Sequence, residues 1–216
     1  AGGPPPAPRG DKQRGFPVGK KARLDPNNSG KEFWAVAFGV FNEAGLLRHF
    51  GIDDARALRF FQRLYASYDD SADVPFHCAL HVQQVLDSAH CLMQQLRGCN
   101  HGPFSEVEVL ALYVAALGHD AGHFGVNNAH LRDTKHPLYK LFPTSTMEHF
   151  HSQIVETILQ HPDDGIAVCL PEEGGVRAGF LAQVRDIILA TDMARHKALT
   201  GDFVAWVDEL VGEPAD

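Results

Sequence analysis

The chain has 216 residues, 44% apolar and 21% charged, with a formal net charge of −8, which is enough for one sizeable domain with a hydrophobic core. No apolar run approaches the ~18 residues that a membrane-spanning helix needs, and no secretory signal stands at the start. The four cysteines (Cys78, Cys91, Cys99, Cys169) form no CxxC pair, so free, buried thiols in a reducing compartment are expected.

Residues 1–31 hold seven Lys/Arg against two Asp, a balance of +5, and the remainder carries −13. An acidic body argues against nucleic acid as the main ligand. The opening stretch is rich in Pro, Gly and basic residues without apolar periodicity, which predicts a disordered arm or linker over residues 1–31. The first residue is Ala1, not methionine, so an excised domain, a processed chain or a fragment is expected.

From Lys31 onward the pattern is helical almost throughout. "KEFWAVAFGVFNEAGLLRHF" repeats apolar residues at helical spacing. A second helix should follow Asp53 as N-cap, with Leu58, Phe61, Leu64 and Tyr65 on one face. "FHCALHVQQVLDSAHCLMQQL" reads as a long third helix. "SEVEVLALYVAALGHD" opens with Ser105 and Glu108 at capping-box spacing and is apolar on most sides, which predicts a central position. "HDAGHFGVNN" leaves that helix through glycines. "STMEHFHSQIVETILQ", "VRAGFLAQVRDIILATDMARHKAL" and a short final helix in "GDFVAWVDELV" follow. There is no period-2 strand pattern and no internal repeat. The domain reads as all-α, spanning residues 32–216.

Several of the 13 histidines fall at suggestive spacings. His77 and His81 are i,i+4, which puts both on one face of the third helix. His119 and Asp120 stand where the central helix stops, with His123 four residues after His119. Glu148 and His151 are i,i+3, and Asp192 ends another helical pattern. Each has a bland reading: Glu148 could complete a capping box with Ser145, and Asp192 could terminate its helix. Together they bring imidazoles and carboxylates from several helices to one apolar core, where unpaired polar groups are costly. That conjunction favours a metal site. Imidazole with carboxylate suits Zn²⁺ and related divalent ions, and a carboxylate such as Asp120 can bridge two of them. A two-ion site suits phosphate-ester hydrolysis, with a histidine off the metal protonating the leaving oxygen.

At this point the sequence resembles a known family. "FHCALHVQQVLDSAH", "LALYVAALGHDAGHFGVNNAHL", "MEHFHSQIVETIL" and "IILATDMARH" follow, in order, the catalytic domain of class I cyclic nucleotide phosphodiesterases. The HxxxH pair followed by HDxxHxGxxN carries the resemblance. It implies a compact multi-helix domain with His77 as general acid towards the O3′ leaving group. It implies His81, His119 and Asp120 as ligands of a tightly held ion, usually Zn²⁺, with Asp120 bridging to a second, Mg²⁺ or Mn²⁺. His123, Glu148, His151 and Asp192 match positions that orient metal-bound waters or the general acid. The implied substrate is cAMP or cGMP, in an intracellular, cytoplasmic setting. Additional regulatory domains in a parent protein are implied, and a homodimer and membrane tethering by other segments are left open.

The sequence departs from the family at Phe76-His77-Cys78, where Tyr-His-Asn is usual, and at Ala121, Gly122 and Phe124 inside the second motif. A further metal-binding aspartate, a purine-holding glutamine and an apolar clamp are expected beyond Asp216, together with the last helices of the domain. Hydrolysis is therefore expected to require residues past that point. The alternatives are a catalytically inactive regulatory or nucleotide-binding remnant of this domain, or another HD-type phosphohydrolase, which does not account for the His77/His81 pair.

Overall fold

The computed structural model describes residues 29–69, 71, 74–98 and 104–212. The basic arm lies outside the described residues apart from its end, since Ser29 to Lys31 already belong to the first helix. Among the described residues the elements are helices and short 3₁₀ turns, with no strand.

The first apolar segment forms two helices, α1 (Ser29–Glu43) and the short α2 (Leu46–His49). The break falls at Gly45, whose φ of 76° is cheap only for glycine. α3 (Asp54–Tyr65) is capped by Asp53, whose carboxylate accepts from the Arg56 amide at 2.9 Å. Its buried face is Ala57, Phe60, Phe61 and Leu64, so Leu58 is exposed, contrary to the sequence reading. α4 (Ala79–Gly98) starts two residues after His77, and α5 (Glu106–Gly118) opens with the expected capping box of Ser105 and Glu108. α6 (Asn128–Asp133) and α7 (Pro137–Leu141) occupy the connection to α8 (Thr146–Leu159).

The sequence of the last segments reads as one long helix and one short one, and the structure divides them differently. α9 (Val176–Ala190) stops at Thr191. α10 then runs unbroken from Met193 to Gly212. Asp192 causes the division: its carboxylate accepts from the Ala194 amide at 2.9 Å and its carbonyl from the Arg195 amide, which is how a helix begins. The aspartate starts α10; it does not end α9 by itself.

α5 is central. Nine of its residues are buried, from Val109 to Gly118, because α4 and α9 cover its flanks and α8 meets its C-terminal end. Phe41 of α1 packs edge-on against Phe61 of α3 at 5.1 Å between centroids and against Tyr113 of α5 at 5.8 Å, tying the first helices to the core. Arg59 and Arg63 of α3 both grip Asp164, and Arg56 donates to the Gly165 carbonyl at 2.8 Å, so α3 also anchors the turn after α8. Cys78 and Cys169 are half-buried and Cys91 is exposed; all three are free thiols, but none is buried as expected. Among the described residues no helix is long and apolar enough to cross a membrane.

Candidate metal centre

The site is built around the end of α5. His119 is its C-cap and keeps helical dihedrals, and the Ala121 amide reaches back to Gly118 in a tightened last turn. Gly122, at φ 74°, then turns the chain away. Its amide donates to the Ser67 carbonyl at 2.9 Å, which pins the turn to the segment leaving α3.

His81 projects from the first turn of α4 towards this turn. Its Nε2 lies 3.6 Å from Asp120 Oδ2, and His119 Nε2 lies 3.3 Å from the same oxygen. Donor atoms of the three residues all fall within 4.8 Å of one another. Donors about 2.0–2.1 Å from a tetrahedral ion sit roughly 3.3 Å apart, so these separations suit a shared cation. His119 is also held in the right orientation: its Nδ1–H donates to the Ala116 carbonyl at 3.0 Å, which leaves Nε2 as the ring nitrogen facing Asp120. Two imidazoles and one carboxylate therefore fit a divalent ion of the zinc type.

His77 is not on α4; it lies in the bent segment just before it, so the shared helical face fails as an explanation of the His77/His81 pairing. The two rings nonetheless lie 6.2 Å apart, because the Cys78 carbonyl accepts from the amides of His81 and Val82 and curls the chain into the helix. His77 Nδ1 meets Asp120 Oδ2 at 2.8 Å. Its ring stacks on His123 at 3.9 Å and 14°, and His123 in turn faces His151 at 5.6 Å and 21°. His151 donates Nδ1–H to the Ala121 carbonyl at 2.6 Å.

The acidic pair arrives from the other side. Glu148, in the first turn of α8, accepts from Asn128 Nδ2 at 2.9 Å, and Asn128 Oδ1 accepts from the Met147 amide at 2.8 Å. The capping-box alternative for Ser145 and Glu148 is not formed. Ser145 sits in the left-handed region at φ 47° and donates its hydroxyl to Asp192 Oδ2 at 2.7 Å. All eight residues singled out in the sequence line one cavity of about 540 Å³: His77, His81, His119, Asp120, His123, Glu148, His151 and Asp192.

Burial shapes the charges here. It works to raise the Asp120 carboxyl, but His119 and His77 outweigh it and hold the group well below the ordinary carboxylate range. Burial, then the neighbouring His77, push His123 down. Burial pushes His151 down to about 4, against its bond to Ala121. Burial raises Glu148, against the Asn128 hydrogen bond. Burial works to lower His119, but its contacts with Asp120 outweigh it and push the imidazole up, so a cation binding there would displace a proton from it and meet an ionised Asp120.

Asn128 and Ser145 were not singled out in the sequence, although each now holds an acidic residue of the cavity. Asn128 was legible as the last position of HDxxHxGxxN. Ser145 carried only a capping signal, since its partner Asp192 is 47 residues away.

Fold and site together define a helical domain with a His-Asp donor set, able to hold a divalent cation, at the end of its central helix. Residues 76–213 match the family model described as 3′5′-cyclic nucleotide phosphodiesterase. The chain is 32% identical over 195 residues to the 3′,5′-cyclic-AMP phosphodiesterase 4C of Mus musculus and 31% identical to that of Rattus norvegicus. Each match covers 90% of this chain but only 27% and 35% of the relatives, so the chain spans about a third of their length or less. The crystal structure of the phosphodiesterase domain of a rhodopsin–phosphodiesterase fusion protein from the choanoflagellate Salpingoeca rosetta superposes with a TM-score of 0.76 at 28% identity, covering 86% of this chain and 56% of that one. The chain belongs to the 3′,5′-cyclic nucleotide phosphodiesterase family.

Proposed function

We propose that this chain contributes the metal-binding half of a site that hydrolyses 3′,5′-cyclic nucleotides to 5′-nucleotides. The observation that carries the reading is the gathering of His81, His119 and Asp120 within cation-binding distance, with the His77 imidazole against the same carboxylate. The cavity falls within the ~300–1,000 Å³ of small-molecule sites. In this reading His81, His119 and Asp120 hold Zn²⁺, and Asp120 also serves a second ion, Mg²⁺ or Mn²⁺. When bound, such ions neutralise phosphoryl oxygens and lower the pKa of water towards ~7.

His77 supplies the proton. Water adds across the P–O3′ bond: its oxygen joins phosphorus, O3′ leaves with a proton from the protonated imidazole, and the proton that the water gives up restores that imidazole. The stacked partner favours this division of labour, because two rings 3.9 Å apart do not readily share positive charge and burial keeps His123 neutral. His151, pinned to Ala121, backs that stack. Glu148 and Asp192, each held by a neutral hydrogen-bond donor, orient water at the mouth of the site. In this reading the protein works inside the cell.

The test is hydrolysis of cAMP and cGMP by the purified full-length protein with Zn²⁺ and Mg²⁺, against the same protein carrying His77→Ala. Loss of about 10²–10⁴-fold in turnover with zinc still bound is expected of a general acid. Unchanged turnover in the variant refutes the assignment.

A further inference from the structure

We infer that Tyr68 is a positioning residue for the metal centre, acting through the backbone at the end of α5. The inference rests on reading His81, His119 and Asp120 as metal ligands.

Tyr68 follows α3 and carries no charge into the cavity, which is why nothing in its sequence context marks it. Its hydroxyl donates to the Leu117 carbonyl at 2.5 Å. In a continuing helix that carbonyl would receive the Ala121 amide, but Ala121 bonds to Gly118 instead. The phenol thus takes up a backbone acceptor released where the helix tightens and stops. One residue earlier, the Ser67 carbonyl accepts the Gly122 amide at 2.9 Å. The dipeptide Ser67-Tyr68 therefore grips the chain at Leu117 and Gly122, on both sides of His119 and Asp120.

The grip is itself anchored. The Tyr68 amide bonds to the Tyr65 carbonyl, and its ring lies 6.5 Å from that of Phe33, which is fully buried in the core. The dihedrals of His119 and Asp120 decide where Nε2 and Oδ2 point. Their relation to His81, on a different helix, is then set by how the α5 terminus is held. Hydrogen bonds that fix ligand orientation from outside the coordination sphere typically govern affinity by 10–100-fold.

The experiment is zinc affinity of the chain by chelator competition at pH 7.5, for wild type, Tyr68→Phe and Ser105→Ala. The last weakens the far end of α5 without approaching the site, and so reports what general destabilisation does. Tyr68→Phe should raise the zinc Kd at least tenfold, and Ser105→Ala should leave it within about twofold. Equal Kd for wild type and Tyr68→Phe, or an equal rise in both variants, overturns the positioning role alone. A wild-type chain that binds no zinc overturns the metal-site reading itself. A second measurement needs no variant: amide hydrogen exchange at Ala121 and Gly122 should be as slow as in the middle of α5. Fast exchange there overturns the inference even if zinc binds.

Discussion

Gly118→Ala tests how closely the site depends on the approach of two helices. A Cβ at this position would stand 2.4 Å from Val155 Cγ2 and 3.4 Å from Cγ1. Carbon atoms pack at about 3.5–4.0 Å, so α5 and α8 must part by roughly 1 Å or Val155 must rotate. Rotation is a poor escape, because valine in a helix keeps one dominant rotamer. Overpacking of this kind costs about 1–3 kcal/mol, and the better helix propensity of alanine returns about 0.5–1 kcal/mol. The net loss should lower Tm by about 2–8 °C for a chain of this size. The site should suffer more than the fold. His151 lies one turn before Val155, and a 1 Å parting stretches its 2.6 Å bond to Ala121. Displacements of that size can cost about 10²-fold in rate. Val155→Ala makes room, at about 2 kcal/mol on its own. In the double variant part of both losses should disappear, giving a coupling of about 1–2 kcal/mol in urea denaturation and a recovery of zinc affinity. Strict additivity of the two substitutions would refute the close-approach argument.

Acid should weaken the metal-free protein through His151. Its folded pKa of about 4 lies below the ordinary ~6.5, so the unfolded chain binds the proton more readily. The stability that neutral His151 contributes is complete above pH 6.5 and is lost as pH falls towards 4. Between pH 7.5 and 5.0 the loss should be about 2 kcal/mol, read by urea denaturation with chelator present. His151→Gln should flatten that slope, and an unchanged slope would show that other groups carry it. Ser105→Ala should cost about 1 kcal/mol by removing a capping box in which both halves are formed, visible as a lower denaturation midpoint.

The sequence by itself determined the elements whose cause is local. Apolar spacing and the Ser105–Glu108 pair located α5 and predicted its burial, because cap chemistry and periodicity act within a few residues. The His-Asp pair at its end was legible for the same reason: a polar dipeptide closing a buried helix has to be compensated. The residue types around the metal centre, and the family they resemble, were equally open to view. What required the tertiary structure was every relation between elements. Ser145 looks like a helix cap until Asp192, 47 residues on, takes its hydroxyl. His77 looks helical until the chain is seen to bend before α4. The α9–α10 break falls in a run that periodicity alone reads straight through, since a helix start set by one aspartate leaves the apolar pattern unchanged on either side. Tyr68 carries no local signal at all, because its hydroxyl's partner is the backbone carbonyl of Leu117, and backbone atoms have no letter in a sequence.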